Sequence, residues 1–512
     1  LGLSTATLIL VIILYAFFGH GVEFFPDTDP NKVFIEVETP LGTNVETTDA
    51  VTKEVEKIIH TMPEDISQFV ANVGISTGAF DFGGDSAPSN KARVAIDFIA
   101  MEKRKISSVV TTEKIREKVE SIIGGTIKVA KEEHGPPTGP PVNIEISGDD
   151  YEQLGSLAAK IRLNIKDIPG LVDLEDDYKV GRPEVKVWID RDRAALYDLT
   201  TRKIASTIQT AIKGTEASTY RELEEEYDIT VRFIRERRNS IQDIKDITIA
   251  HEGKQIPLSN VARIELAGGP GTIMRKDLKR VITISAEAEG RLSTEVLKEV
   301  QESVATIDLP AGYSIKYTGE QEEQKKSEAF LKKAFIIAVL LIAFILVLEF
   351  NSIITSSIIM FSVLLSLIGV FAGLMITGTP FGIIMTGIGV ISLAGVVVNN
   401  AIVLLDYIIQ LRERGQEKRE AIINGGMTRL RPVLLTAVTT ILGLLPMATG
   451  YYFDFKKMSW ITGSESSQWW GPMAVAVIFG LAFATILTLV VVPVMYSVLE
   501  SLRERVKQNL HW

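Results

Sequence analysis

The chain has 512 residues, of which 46% are hydrophobic and 23% charged, with a net charge of −10, no cysteine and five histidines. It is too long for one ordinary domain. The missing cysteine excludes a disulfide framework and thiolate metal sites, the acidic balance offers nothing to nucleic acid, and the histidines show no ligand spacing.

The averages hide a segregation. Apolar blocks occupy residues 1–18 and 334–499, and the stretch 19–333 reads as charged, soluble-type sequence. Residues 1–18 carry no basic leader and no small-residue cleavage site, so they read as a membrane helix rather than a signal peptide. The expectation is a piece of a longer protein.

In chain order, 33–38 alternates like a strand, 43–62 has helical apolar spacing, and 68–75 and 92–100 read as strands. A helix over 107–123 and a strand over 126–129 follow. The order β-α-β-β-α-β is a split βαβ module. After a Pro/Gly linker at 134–141, a second such module starts with a strand at 142–147, a helix at 151–168 and a strand near 171–174. It is interrupted by a strand–helix–strand insertion at 181–269 and completed by 280–289, 293–307 and 313–317. The expected divisions are 30–133, then 141–180 with 270–320, with 181–269 inserted. The acidic run 222–226 reads as a solvated surface.

The apolar spans 334–348, 353–376, 382–407, 432–450 and 472–499, with 1–18, make about six crossings at ~20 residues each. Arginines and lysines concentrate in 408–431 and in the tail 500–512, which places both in the cytoplasm and 19–333 outside it. Trp460, Trp469 and Trp470 fall in the outer loop, as an interfacial aromatic belt would.

The span 384–407 (IMTGIGVISLAGVVVNNAIVLLDY) carries polar residues at membrane depth, where they mark pathways or helix contacts. Ser392, Asn399 and Asp406 are spaced by seven and form one stripe, with members roughly 10 Å apart. Arg429, Thr436 and Gly443 share a face of the next helix in the same way. Asn399 and Asn400 read either as hydrogen-bond glue between helices or as relay groups. Thr436 could equally bond its own helix, and Arg429 could equally serve topology. No Walker, GxSxG or HExxH motif is present, so no enzyme activity and no cofactor are expected.

Four motifs, GVVVNNAIVLLDY (395–407), LRERGQEKREAI (411–422), TRLRPVLLTAVTTILGLLPM (428–447) and TLVVVPVMYSVLE (488–500), together resemble the resistance–nodulation–division (RND) efflux transporters. FFPDTDPNKVFIEVETPLGTNVETTDAV (24–51) looks like the start of that family's second large periplasmic loop, and IDRDRAALYDLTTRKIASTIQTAIKG (189–214) like its docking subdomain. The resemblance implies an α+β membrane protein, the C-terminal half of such a permease. It would have six transmembrane helices and a periplasmic porter region of two split βαβ (ferredoxin-like) modules with an inserted docking subdomain. It further implies a homotrimer in the bacterial inner membrane, working with a periplasmic adaptor and an outer-membrane channel and driven by the proton gradient.

By the same resemblance, Asn399, Asn400, Arg429 and Thr436 occupy proton-relay positions. Asn399 stands where many members have a lysine paired with aspartates of the other half. Phe80 and Phe82 match a phenylalanine-bearing loop that lines the drug pocket. The expected cargo is hydrophobic or amphiphilic small molecules. The alternatives are an exporter of metal ions or lipids with the same fold, or a membrane-anchored translocation accessory. Metals rank below small molecules because the methionines in the spans show no close pairing.

Overall fold

The structure, a computed structural model, describes residues 2–62, 64–74, 88–132, 138–178, 181, 183–223, 225–268, 272–455 and 458–509. The chain divides into two units: one of Leu1–Thr39, Val45–Tyr178 and Met274–Trp512, the other of Pro40–Asn44 with Lys179–Ile273.

The first unit holds two modules of the same topology. In the first, strands Lys32–Glu38, Ile66–Val73, Lys91–Phe98 and Thr126–Lys131 form an antiparallel sheet. Lys91–Phe98 and Lys32–Glu38 lie at its centre, Ile66–Val73 and Thr126–Lys131 at its edges. Alternate residues of the central strands are buried, so Val33, Ile35 and Val37 face helices Val45–His60 and Ser108–Val119. This is the period-2 pattern of a sheet with one covered face. The helix Val45–His60 answers with Val51, Val55 and Ile59 on one side. Ser107 starts the next helix by accepting the Val109 amide.

The second module repeats the plan with strands Val142–Gly148, Leu171–Asp176, Lys279–Ala288 and Ser314–Tyr317. Helices Tyr151–Ile165 and Ser293–Val304 cover it, and Asp150 caps the first of these at the Glu152 and Gln153 amides. Between its second and third strands the chain leaves to build the other unit.

That unit has its own core around Ile204, Ile247, Ile249 and Leu258. The single helix expected within the insertion is two, Arg191–Leu196 and Thr201–Ile212. The chain breaks at Asp198, whose φ is 57°, and Thr200 caps the second helix at Lys203. Glu222, Glu225 and Glu226 of the acidic run sit at the turn end of a solvent-exposed hairpin of Thr215–Glu222 and Glu225–Val231.

Among the described residues, five helices are long and apolar enough to cross a membrane: Glu320–Phe350, Ile353–Thr377, Ile383–Glu413, Lys418–Thr449 and one starting at Glu465. Gly2–Phe18 is a shorter apolar helix. The basic stretch 408–431, which separates two of the expected apolar spans, is almost entirely helical, because the flanking helices run on through it and only 414–417 connect them. Pro432 sits inside a helix rather than starting one. Small residues let the helices approach closely: a Cβ on Gly373 would lie 2.4 Å from the Phe479 side chain, and one on Gly369 2.4 Å from the Phe479 carbonyl oxygen. A short hairpin, Tyr451–Asp454 with Ser459–Thr462, separates the last two long helices; nothing in the apolar pattern had marked it.

Candidate functional site

Two places in the first unit gather polar groups that packing alone does not require. One is the pair of helices Ile383–Glu413 and Lys418–Thr449. Asn400 is 5% exposed, and its Oδ1 accepts from Thr436 Oγ1 at 3.3 Å. The same hydroxyl bonds its own helix at the Val433 carbonyl, 2.9 Å, so the threonine serves both helices. Asn399, one residue earlier, faces outward, as does Ser392. Asp406, the third member of that stripe, is half-buried and accepts from Gln410 of its own helix at 2.8 Å.

The Arg429 guanidinium lies 4.5 Å from the centre of the Tyr407 ring, a cation–π distance, and its Nε is buried without a partner among the described residues. The structure therefore brings Asn400 to Thr436 and Arg429 to Tyr407, and leaves Asn399 on an open face. Phe80 and Phe82 lie outside the described residues.

The second place is a cleft of about 770 Å³ between the two modules, floored by the start of the membrane helices. Glu23, Asp27, Glu287, Glu289, Glu295 and Glu320 line it, against Arg116, Lys131 and Arg291. Arg116 crosses it. From the helix Ser108–Val119 of the first module it bonds Asp173 Oδ2 at 3.2 Å and Glu289 Oε2, both of the second module, and the Val129 carbonyl at 2.9 Å. Lys128 pairs with Glu175 across the same boundary. Burial pushes the Asp173 carboxyl above its usual value, and the charge and hydrogen bond of Arg116 pull against that rise. Among the described residues, Arg116 Nε and Glu289 Oε1 are buried without a partner, so the crossing holds spare hydrogen-bonding capacity.

Glu23 closes the cleft's lower end. It is 9% exposed, in a two-residue parallel pairing of Val22–Glu23 with Phe381–Gly382. Burial, then the charges of Asp27 and Glu320, raise its pKa to about 7. Glu320 accepts from the Ser293 hydroxyl at 3.1 Å, and Thr294 donates to the Val22 carbonyl at 2.7 Å. Sequence reasoning missed both Glu23 and Arg116. Glu23 had a signal, a lone acid amid the apolar residues that follow a span. Arg116 had none, since an arginine in an amphipathic helix looks like any other. Among the described residues, no group of three or more histidine or carboxylate side chains is placed to hold a metal ion.

The comparisons with known proteins fit this architecture. A profile of the AcrB/AcrD/AcrF family matches residues 1–500. The cobalt-zinc-cadmium resistance protein CzcA of Cupriavidus metallidurans is 33% identical over 364 residues, 69% of this chain and 33% of that protein. The nickel and cobalt resistance protein CnrA of the same organism is 27% identical over 518 residues, 97% of this chain and 46% of that protein. The crystal structure of a heavy metal efflux pump superposes with a TM-score of 0.81 at 25% identity, over 98% of this chain and 50% of the other. The chain thus spans about half the length of the relatives it matches from end to end. The names of these relatives concern metal cations, and none supports the expected export of drugs or other amphiphiles. The chain belongs to the AcrB/AcrD/AcrF family of RND efflux transporters.

Proposed function

We propose that this chain is the C-terminal half of a proton-driven RND permease that exports metal cations. In this reading it crosses the bacterial inner membrane six times and carries its two modules in the periplasm. It works as a homotrimer with an adaptor and an outer-membrane channel. The observation that carries the cargo is the acidic lining of the intermodule cleft, taken with the metals named for CzcA and CnrA. A hard or borderline cation entering that cleft meets carboxylate oxygens, the donors such ions favour. The cleft also holds Phe25, stacked on Trp469 at 5.1 Å, an apolar wall that an amphiphile would use.

In the membrane, the proposed relay uses Asn400, Thr436 and Arg429, with Asn399 facing the remainder of the permease. An asparagine both donates and accepts, so it can solvate a carboxylate in either protonation state without a fixed positive charge. A lysine would hold that carboxylate ionised, and two neutral amides leave it freer to take a proton.

The test is export by the full-length protein in a host lacking its own pumps. Tolerance to cobalt, nickel, zinc or cadmium should rise, and tolerance to amphiphilic dyes and bile salts should not. The opposite pattern would replace the cation by the amphiphile. Asn400→Leu should abolish gradient-dependent export while the protein still reaches the membrane in wild-type amount. Normal export by that variant would reduce the asparagines to packing.

A further inference from the structure

The hairpin between the last two long helices carries a feature that neither the cleft nor the relay uses. Its strands Tyr451–Asp454 and Ser459–Thr462 pair with Phe453 opposite Trp460 and Tyr452 opposite Ile461. Strand alternation puts Tyr451, Phe453 and Trp460 on one face, and Tyr452 and Ile461 on the other. Ile461 is 5% exposed and turns inward. The other face is a plate of rings: Phe453 meets Trp460 edge-on at 5.4 Å and Phe455 at 5.2 Å. Trp460 is 73% exposed, Phe455 82%, Met458 74% and Tyr451 59%.

Three observations identify what covers this plate. First, the hairpin begins directly at Gly450, the cap of Lys418–Thr449, and ends at the helix that starts at Glu465. Both are long and apolar enough to span a bilayer, so the hairpin sits where two spans end. Second, Leu435, Val438, Leu442 and Leu445 are exposed along Lys418–Thr449 at helical spacing and lead up to Tyr451, so the plate continues an apolar surface already facing outward. Third, tryptophan and tyrosine combine an apolar ring with a polar tip, the composition enriched where hydrocarbon meets headgroups. Trp469, by contrast, stacks on Phe25 at 5.1 Å inside the unit and takes no part in the plate.

We infer that the hairpin is a membrane-interface anchor, its aromatic face lying in the headgroup–acyl boundary of the leaflet at that end of the spans. Its base is tied to the first module. A Cβ on Gly463 would come within 3.1 Å of Met101 Sδ, and Gln468 both donates to that sulfur at 3.3 Å and accepts the Asp29 amide at 2.6 Å. The anchor therefore sets the height of the first module above the bilayer. The inference is independent of the cargo.

The test uses the full-length protein, made cysteine-free where needed, in nanodiscs of phosphatidylethanolamine and phosphatidylglycerol. A nitroxide is attached at Met458→Cys, with Lys105→Cys as the water reference and Ile345→Cys as the reference on an exposed apolar helix. Collisions with oxygen and with a water-soluble nickel chelate are then compared. The label at 458 should be several-fold less accessible to the chelate than the label at 105, yet freely accessible to oxygen. Chelate access equal to that at 105 would show a hairpin standing in water and overturn the inference. Protection from both quenchers would show a protein cover, another segment or a second copy, and overturn it equally. Unlabelled protein gives a second reading: brominated lipids should quench a tryptophan component that Trp460→Phe removes, and unchanged quenching in that variant counts against the anchor.

Discussion

The two modules have the same strand order and helix placement but are fastened to the membrane helices in different ways. The first is held by side chains reaching across. Asp29 and Asn31 meet Gln468 and Glu465 at the start of the last helix, and Phe25 stacks on Trp469. The second is held by its own backbone, since strand Ser314–Tyr317 runs within a few residues into the helix Glu320–Phe350. Side-chain fastenings can be remade one at a time, whereas a continuous helix moves with what it is attached to. The boundary between the modules, spanned by Arg116 and Lys128, is therefore where a relative movement would first be felt.

Breaking that boundary should have the largest effect. Arg116→Met leaves Asp173 and Glu289 buried without their cation, and removing one partner of a largely buried pair costs about 3 kcal/mol or more. Thermal unfolding in detergent should show it as a clear loss. Adding Asp173→Asn and Glu289→Gln should restore most of the stability, because the stranded charges are then gone. A loss unchanged in the triple variant would mean that Arg116 acts through packing alone.

The second module's fastening can be sharpened through Glu23. Its pKa in the fold is raised from 4.5 to about 7, so folding disfavours its charged form. Well below pH 4.5 both states hold the proton and Glu23 costs nothing. The cost grows as pH rises and is complete above about 7. Glu23→Gln should therefore stabilise the protein by up to about 3 kcal/mol at pH 8 and by little at pH 4. A pH-independent effect in unfolding titrations would show that Glu23 is not held protonated.

The smallest effect is expected at the first module. Gln468→Ala removes the acceptor for the Asp29 amide, a loss of about 1 kcal/mol. Its mark should be faster amide exchange around residues 27–31 rather than a shift in the global midpoint. Exchange unchanged there would place the fastening in the Phe25–Trp469 stack instead.

Both modules were legible because each strand and helix announces itself over short range. The alternation of Val33, Ile35 and Val37 and the spacing of Val51, Val55 and Ile59 are local facts that packing confirms. The long apolar helices were legible for the same reason. Their ends were not: the apolar pattern stops at 407 and resumes at 432, yet the helices run on through Arg412, Lys418 and Arg429, because a helix continues past the bilayer at little cost where its polar side chains reach water. The contact of Asn400 with Thr436 was foreshadowed by polar residues in apolar helices. Which of two adjacent asparagines packs inward depends on the neighbouring helix, and sequence spacing alone does not place that neighbour. Arg116 with Glu289 lies further still from view, since 173 residues separate two side chains that no periodicity relates.

The helix Glu320–Phe350 has one buried side chain, Leu346, along its 31 residues. At 1.5 Å per residue it is a rod of roughly 46 Å. It has no proline, and among the described residues little grips it sideways. At its far end Asn351 turns in the left-handed conformation, with φ 46°, and Ser352 caps the next helix, Ile353–Thr377, whose buried side chains pack deep in the bundle. Such a rod has no joint in which to lose a stroke. A tilt of the second module would be carried along it to the start of Ile353–Thr377, and a rearrangement there would return along the same shaft to the cleft.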